Sequence, residues 1–214
     1  MKWSAKAPAN IALIKYMGKA PGNQNIPLNA SLSYTLPHLL THVELEKHAK
    51  QDNWAPLTLD KNKPAHVFSA AAQERFLKHL NLIKQHFNYT GYFTVRSANN
   101  FPHGTGLASS ASSFAALTQA AVQACTAATN TPIPSIEAQA GLSRLGSGSS
   151  CRSFFEPWAL WDQDRVSPIM LPYPELMHQV VLVHTTEKKI SSSEAHRRVA
   201  CLPDYPARQI RAEK

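Results

Sequence analysis

Pro102-His103-Gly104-Thr105-Gly106-Leu107-Ala108-Ser109-Ser110-Ala111-Ser112-Ser113 is the stretch on which the fold turns. It opens with small, loose residues and runs into Phe114-Ala115-Ala116-Leu117, the body of a strong helix. The glycines let the backbone come close to a ligand. The serines fall where the helix begins, and a helix start leaves unpaired N–H groups and a partial positive charge. Glycines, hydroxyls and bare N–H groups together suit a phosphate. The same residues also suit a Ser-capped helix behind a Gly turn, and the stretch alone leaves both readings open.

The helix, expected over about 109–128, is apolar on most sides and should be buried. Before it, 92–96 reads as a strand and 66–87 as an amphipathic helix. Further back, 57–60 reads as a short strand. The alternating segments 30–36 and 41–46 read as a hairpin around Pro37. Residues 2–16 read as two short strands or one bent strand broken at Pro8, followed by a loop over 17–28. After the central helix, a second is expected from about 135 to 145, with Pro134 at its start. A Gly/Ser turn follows over 146–153, then a strand-like aromatic run over 154–161 and a buried strand over 178–185. A polar turn at 187–194 opens a helix, and nothing after about 202 reads as a core element.

Size and charge narrow the function. The chain has 214 residues, 43% of them hydrophobic, enough to bury a sizeable core. No apolar run approaches a membrane span, and the N-terminus lacks the apolar core of a signal peptide, so a cytoplasmic setting is expected. Three cysteines without paired spacing do not read as a disulfide framework or zinc site, and the ten histidines form no metal motif; no metal ligands are assigned. The net charge of +8 favours anionic partners. The basic residues are dispersed, which argues against nucleic acid and for small phosphorylated ligands. Lys15 and Lys19 flank Tyr16, either as solvated lysines or as cations reaching a phosphate. Arg152 lies in Gly146-Ser147-Gly148-Ser149-Ser150-Cys151-Arg152-Ser153, where a guanidinium fork would bind carboxylate or phosphate.

Several separated motifs together resemble the diphosphomevalonate decarboxylases of the GHMP kinase superfamily. They are Ala7-Pro8-Ala9-Asn10-Ile11-Ala12-Leu13-Ile14-Lys15-Tyr16-Met17-Gly18-Lys19, Pro27-Leu28-Asn29-Ala30-Ser31-Leu32-Ser33, Asn99-Asn100-Phe101-Pro102 leading into Gly106-Leu107-Ala108-Ser109-Ser110-Ala111, the Ser/Arg cluster 146–153, and Glu187-Lys188-Lys189-Ile190-Ser191-Ser192-Ser193. The resemblance implies an α/β (α+β) fold. Residues 1–175 would form a ribosomal-protein-S5-like N-terminal domain for ATP and substrate, and 176–214 the beginning of a C-terminal α/β domain. It implies that ATP, with Mg2+, phosphorylates the tertiary hydroxyl of mevalonate 5-diphosphate. Loss of phosphate and carbon dioxide then gives isopentenyl diphosphate.

The resemblance also implies roles. Gly104 and Gly106 through Ser110, with Leu107, Ala108 and Ser109 between, would hold the ATP phosphates beside Asn99 and Asn100. Tyr16, Met17, Lys19 and Ser193 would line the diphosphate pocket. Ser147 and Ser149 would hold substrate and the transferring phosphate, and Arg152 the carboxylate. Lys15, Arg152 and Ser110 are the expected catalytic residues, and a homodimer is common in such proteins.

The sequence departs from that family at four places. Met17 stands where Trp is usual, Ala20-Pro21 where Arg-Asp is usual, and Glu194-Ala195-His196-Arg197 where a Gly-Met is usual. The Asp-Ala-Gly-x-Asn motif bearing the family's catalytic Asp is not reached, so weak binding and poor turnover are expected. The alternatives are a related kinase that stops at phosphorylation, or a ligand-binding domain without turnover.

Overall fold

The computed structural model describes residues 1–22, 24–62, 65–102, 109–173, 175–179, 181, 192–199 and 201–213. Six strands among them form one sheet. They are β1 (Lys2–Ile14), β2 (Ser31–His48), β3 (Asn53–Pro56), β4 (Tyr92–Asn99), β5 (Trp158–Asp162) and β6 (Arg165–Ile169). The spine is β2, with β1 antiparallel to it on one side. On its other side β4 pairs with Thr41–His48, and β5 with Ser31–Tyr34. β3 lies parallel outside β4, and β6 runs back along β5.

The expected hairpin around Pro37 is therefore one continuous strand. The β1 register steps from Pro8↔Leu40 to Ala9↔Leu36, which leaves residues 37–39 as a bulge. Pro37, which has no N–H to give a ladder, sits in that bulge. Asn100 fills it: its Oδ1 accepts from Leu40 N at 2.8 Å and its Nδ2 donates to His38 O at 2.9 Å. Pro8 bends β1 at the same step without breaking it.

The strand expected at 57–60 lies four residues earlier, as β3. Trp54 anchors it, with its indole N–H on Ser97 Oγ at 2.9 Å and its ring stacked on Phe68. The aromatic run over 154–161 also divides: Phe154 ends a 3-10 helix (Gly148–Phe154), and the strand begins only at Trp158. Within the expected strand 178–185, residues 178, 179 and 181 belong to no strand, and Val181 is 74% exposed; the others lie outside the described residues.

Helices α1 (Ala70–His86), α2 (Ser109–Thr129) and α3 (Ile136–Gly146) meet the sequence reading. Ser135 caps α3 by accepting from Ala138 N. Phe76, Leu80 and Ile83 of α1 and Leu117, Ala121 and Val122 of α2 share one core with Val43, Leu45, Phe93 and Val95 of the sheet. The alanines of α2 let it lie close against its neighbours. Two short helices follow, α4 (Ser192–Val199) and α5 (Tyr205–Glu213), the second where no core element was expected.

One histidine is locked inside this core. His79 is 3% exposed and its Nε2 lies 2.9 Å from Thr118 Oγ1. The Thr118 hydroxyl proton goes to Phe114 O, so His79 Nε2–H is the donor to Thr118 Oγ1. Burial first, and then the charge of Arg75, push its pKa down to about 3. Below the unfolded value of 6.5 the unfolded chain binds a proton that the native ring refuses. This ring's contribution to stability is present above pH 6.5 and is lost as pH falls toward about 3. His79→Gln keeps an uncharged donor toward Thr118. Urea unfolding across that range should show a pH slope shallower in H79Q by up to about 1.4 kcal/mol per pH unit. An unchanged slope would refute the assignment.

Candidate active site

Small residues bring the chain close to itself after α3. Ser147 N bonds Ser143 O at the end of α3, and Ser150 Oγ turns back to Ser147 O at 2.6 Å. A Cβ on Gly148 would lie 2.7 Å from the Tyr16 hydroxyl, so only glycine allows this approach. The 3-10 turn then carries Arg152 inward, to 3% exposure.

The Arg152 guanidinium rests on neutral oxygens. Nη1 donates to Ser31 Oγ at 2.8 Å, and Nη2 and Nε donate to Asn10 Oδ1 at 3.2 and 3.4 Å. Asn10 is itself fixed, its Nδ2 donating to Ser153 Oγ at 2.8 Å and Ser149 O at 3.2 Å. The Tyr16 and Trp161 rings lie 5.8 and 5.6 Å from the guanidinium carbon, within cation–π range. Among the described residues no carboxylate pairs with Arg152. A buried charge without a counter-charge is costly, and burial holds this group's pKa below its ordinary value. An arriving carboxylate or phosphate would offset that cost.

The loop after β1 supplies the next wall. Tyr16 is buried edge-on against Trp161, and burial pushes its hydroxyl up to about 12, so it remains a proton donor. Met17 N bonds Asn29 Oδ1 at 3.0 Å, and Met17 O accepts from the Tyr205 hydroxyl at 2.8 Å. Gly18 has φ +80°, and a Cβ there would strike the Tyr205 hydroxyl at 2.1 Å. Its N–H donates to His196 Nδ1 at 3.1 Å. Lys19 Nζ donates to Asn25 Oδ1 at 2.8 Å, while Asn25 Nδ2 holds Arg144 O at 2.8 Å. One Asn side chain thus ties Lys19 to the end of α3. Burial, and then Arg75, draw the Lys19 pKa down.

Further cations converge. Arg75 of α1 lies over Phe114 and donates to Gly146 O at 2.8 Å, and its charge is felt by both Tyr16 and Lys19. Arg208 of α5 donates to Lys15 O at 2.7 Å. The charges of Lys19, Lys15 and Arg208 all act on His196. The ion pairs found among the described residues, Lys2–Glu44, Lys84–Asp52 and Arg198–Glu194, do not include Lys19, Arg75 or Arg208. The result is a basic recess with aromatic walls, fitted to a ligand carrying several negative charges.

The expected nucleotide residues form a separate group. Ser109 and Ser110 begin α2, and Ser112 Oγ lies 2.6 Å from Thr41 Oγ1, which donates to Asn99 Oδ1 at 2.8 Å. Asn99 Nδ2 is buried without a partner among the described residues. The Asn100 amide is committed to the β2 bulge. Gly104, Gly106, Leu107 and Ala108 lie outside the described residues, as does the side chain of Ser193. Lys15, Tyr16, Met17, Lys19, Ser147, Ser149 and Arg152 do fall around the recess. Asn10, Ser31, Asn25, Arg75, His196 and Arg208 were not singled out for it. A buried amide between apolar neighbours was a signal for Asn10; the others are joined only by long-range pairing.

Known proteins place these motifs in a family. The family model of the diphosphomevalonate decarboxylase-like N-terminal domain matches residues 7–167. A crystal structure of a mevalonate diphosphate decarboxylase from Legionella pneumophila is 56% identical, with TM-score 0.90, covering 100% of this chain and 68% of that one. MDDEF in complex with MVAPP, AMPPCP and magnesium is 30% identical, with TM-score 0.77, covering 100% of this chain and 65% of that one. The diphosphomevalonate decarboxylase of Debaryomyces hansenii is 32% identical over 207 residues, covering 89% of this chain and 52% of the relative. The chain spans about half the length of the curated relatives it matches. With the Ser/Arg turn and the Lys15–Lys19 loop facing one basic recess, the chain belongs to the diphosphomevalonate decarboxylase-like family, whose N-terminal domain it carries.

Proposed function

We propose that this chain binds mevalonate 5-diphosphate and ATP for decarboxylation to isopentenyl diphosphate, with ADP, phosphate and carbon dioxide as the other products. The observation that carries the reading is Arg152, a buried guanidinium held by Asn10 and Ser31 and lacking a carboxylate partner among the described residues. The substrate brings that carboxylate. Its diphosphate matches the remaining cations, Lys19, Arg75 and Arg208, beside the protonated Tyr16. The complex of MDDEF with MVAPP, AMPPCP and magnesium supports the ligand set.

In the proposed reaction the 3-hydroxyl oxygen takes the terminal phosphoryl group of ATP, ADP leaves with the electrons of the broken phosphorus–oxygen bond, and the hydroxyl proton passes to water. The carbon–oxygen bond then breaks and phosphate leaves with the electron pair. The electrons of the carbon–carboxylate bond become the new double bond as carbon dioxide departs. Arg152 fixes the carboxylate so that this bond is aligned, and Ser147 and Ser149 offer hydroxyls to substrate and phosphate. Lys15 and Ser110 are assigned to the transferring phosphoryl group. ATP phosphates belong at the start of α2, near Ser109, Ser110 and Asn99. Asn99 Nδ2 is a buried donor fitted to such an oxygen acceptor. No three carboxylate, His or Cys groups converge among the described residues. Mg2+ fits this site as a companion of the ATP phosphates, with the Ser109 and Ser110 hydroxyls as hard oxygen donors. Bound there, it would neutralise phosphate charge.

In the same reading residues 1–175 form the ATP and substrate domain, and 176–214 begin a second domain that reaches the recess through His196, Tyr205 and Arg208. A cytoplasmic homodimer is its expected setting; no helix among the described residues is long and apolar enough to cross a membrane.

Incubation with ATP and mevalonate 5-diphosphate should yield ADP, phosphate and carbon dioxide in equal amounts. ADP without carbon dioxide would indicate a kinase instead. Arg152→Gln should lower kcat/KM on the order of a hundredfold, as removal of a buried charge partner does, with the far-ultraviolet circular dichroism unchanged. Asn25→Ala frees the Lys19 ammonium from its tie to α3. It should raise KM for the diphosphate substrate by roughly fivefold, the cost of about one hydrogen bond, and leave kcat near wild type. A fall in kcat alone would count against a positioning role for Asn25.

A further inference from the structure

His196 joins the recess from 178 residues beyond Gly18 in the chain, within the Glu194-Ala195-His196-Arg197 segment that departs from the usual family motif. Its ring stacks on Tyr16 at 4.6 Å between centroids and 12° between planes. Its Nδ1 accepts the Gly18 N–H at 3.1 Å. A backbone N–H only donates, so Nδ1 is bare, and the neutral ring carries its proton on Nε2. Nε2 has no hydrogen-bond partner among the described residues. The charged groups that face the ring are Lys15 and Lys19 from the loop and Arg208 from α5, all cationic; Tyr16 contributes a neutral hydroxyl. Burial first, then these cations, push the His196 pKa down to about 4. Near neutral pH the recess therefore contains one uncharged N–H donor set among fixed positive charges.

We propose that His196 is a substrate-binding residue: its Nε2–H donates to a phosphate oxygen of the diphosphate ligand while its Nδ1 holds the Gly18 N–H that shapes the loop. The assignment rests on the reading of the recess as a diphosphate pocket. A neutral donor adds a hydrogen bond without adding repulsion to the cations already present. Nδ1 holds the ring's remaining lone pair and is occupied by the Gly18 N–H, so His196 gives this hydrogen bond in its neutral form and takes up no proton when the anion binds.

The test is calorimetric titration of mevalonate 5-diphosphate, with inorganic pyrophosphate as a second probe, into wild type, His196→Asn and His196→Gln. Titrations near pH 6 in buffers of different ionisation enthalpy count the protons exchanged. Asn keeps an acceptor where Nδ1 stood, and Gln keeps an uncharged donor near Nε2. H196N should bind on the order of tenfold more weakly, as loss of a hydrogen bond to a charged group does. H196Q should bind as wild type does, with the same proton count. Should H196N fail to fold, the His196 Nε2–H resonance of the wild type decides: it should move when either probe is added, and an unmoved resonance in a protein that binds the probe would overturn the role. Wild-type affinity in folded H196N would likewise overturn the role of His196 and leave the pocket standing. Binding of neither probe by wild type would overturn both.

Discussion

Everything around the recess depends on keeping the Arg152 guanidinium in place inside the protein. A buried cation is ordinarily stabilised by a carboxylate. Here the supports are an amide oxygen, a serine hydroxyl and two aromatic rings. Those groups orient the fork without neutralising it, so its charge remains available to a ligand. A carboxylate in their place would make the fold more self-sufficient and the site less attractive to anions. The support comes from three distant pieces of chain: β1 through Asn10, β2 through Ser31, and the 3-10 turn that holds Arg152 itself. The sheet pairing that fixes β1 on β2 also fixes the charge.

The strand register explains the unusual choice of residues there. Ser31, Ser33 and Thr35 point to the buried side of β2, whereas Leu32 and Tyr34 are only half-buried. Each inward hydroxyl has a partner: Ser31 on Ile14 O, Ser33 on Ala159 O and Thr35 on Phe155 O. A buried polar group is tolerable when it is bonded; the Ser31 bond ties β2 to the end of β1, and the Ser33 and Thr35 bonds seat the segment around residues 155–159 against β2. Farther along the same strand, Val43 and Leu45 point inward and build an ordinary apolar core. One strand thus serves the core at one end and the site at the other.

That division marks what was legible in the residues. The helices α1, α2 and α3 announce themselves because their apolar spacing and caps are local. The Gly/Ser turn and Arg152 were legible as anion chemistry, and motif order identified the family. The β2 hairpin was misread because Pro37 is a local breaker signal, whereas the register that turns it into a bulge is set by β1 and Asn100. Trp54 was passed over because the strand it anchors is four residues long and parallel, with too little alternation to see. His196, Tyr205 and Arg208 gave no sign of their place. Their partners are loop atoms nearly the whole chain away, and such bonds leave no periodicity.

Those late residues complete the recess in a characteristic way. Tyr205, Arg208 and Gln209 hold the 15–28 loop through Met17 O, Lys15 O and Leu28 O. Backbone carbonyls carry no net charge, so the clamp fixes the loop without using up the cations on it. The same logic recurs at Asn25 on Lys19 and at His196 on Gly18. Arg208 apart, each support is neutral, and each supported element is cationic or lies beside a cation. Mutual repulsion among Lys19, Arg75, Arg152 and Arg208 would open such a site if nothing but charge shaped it. Hydrogen bonds to uncharged groups and ring stacking hold it closed instead, and an arriving anion would relieve that repulsion.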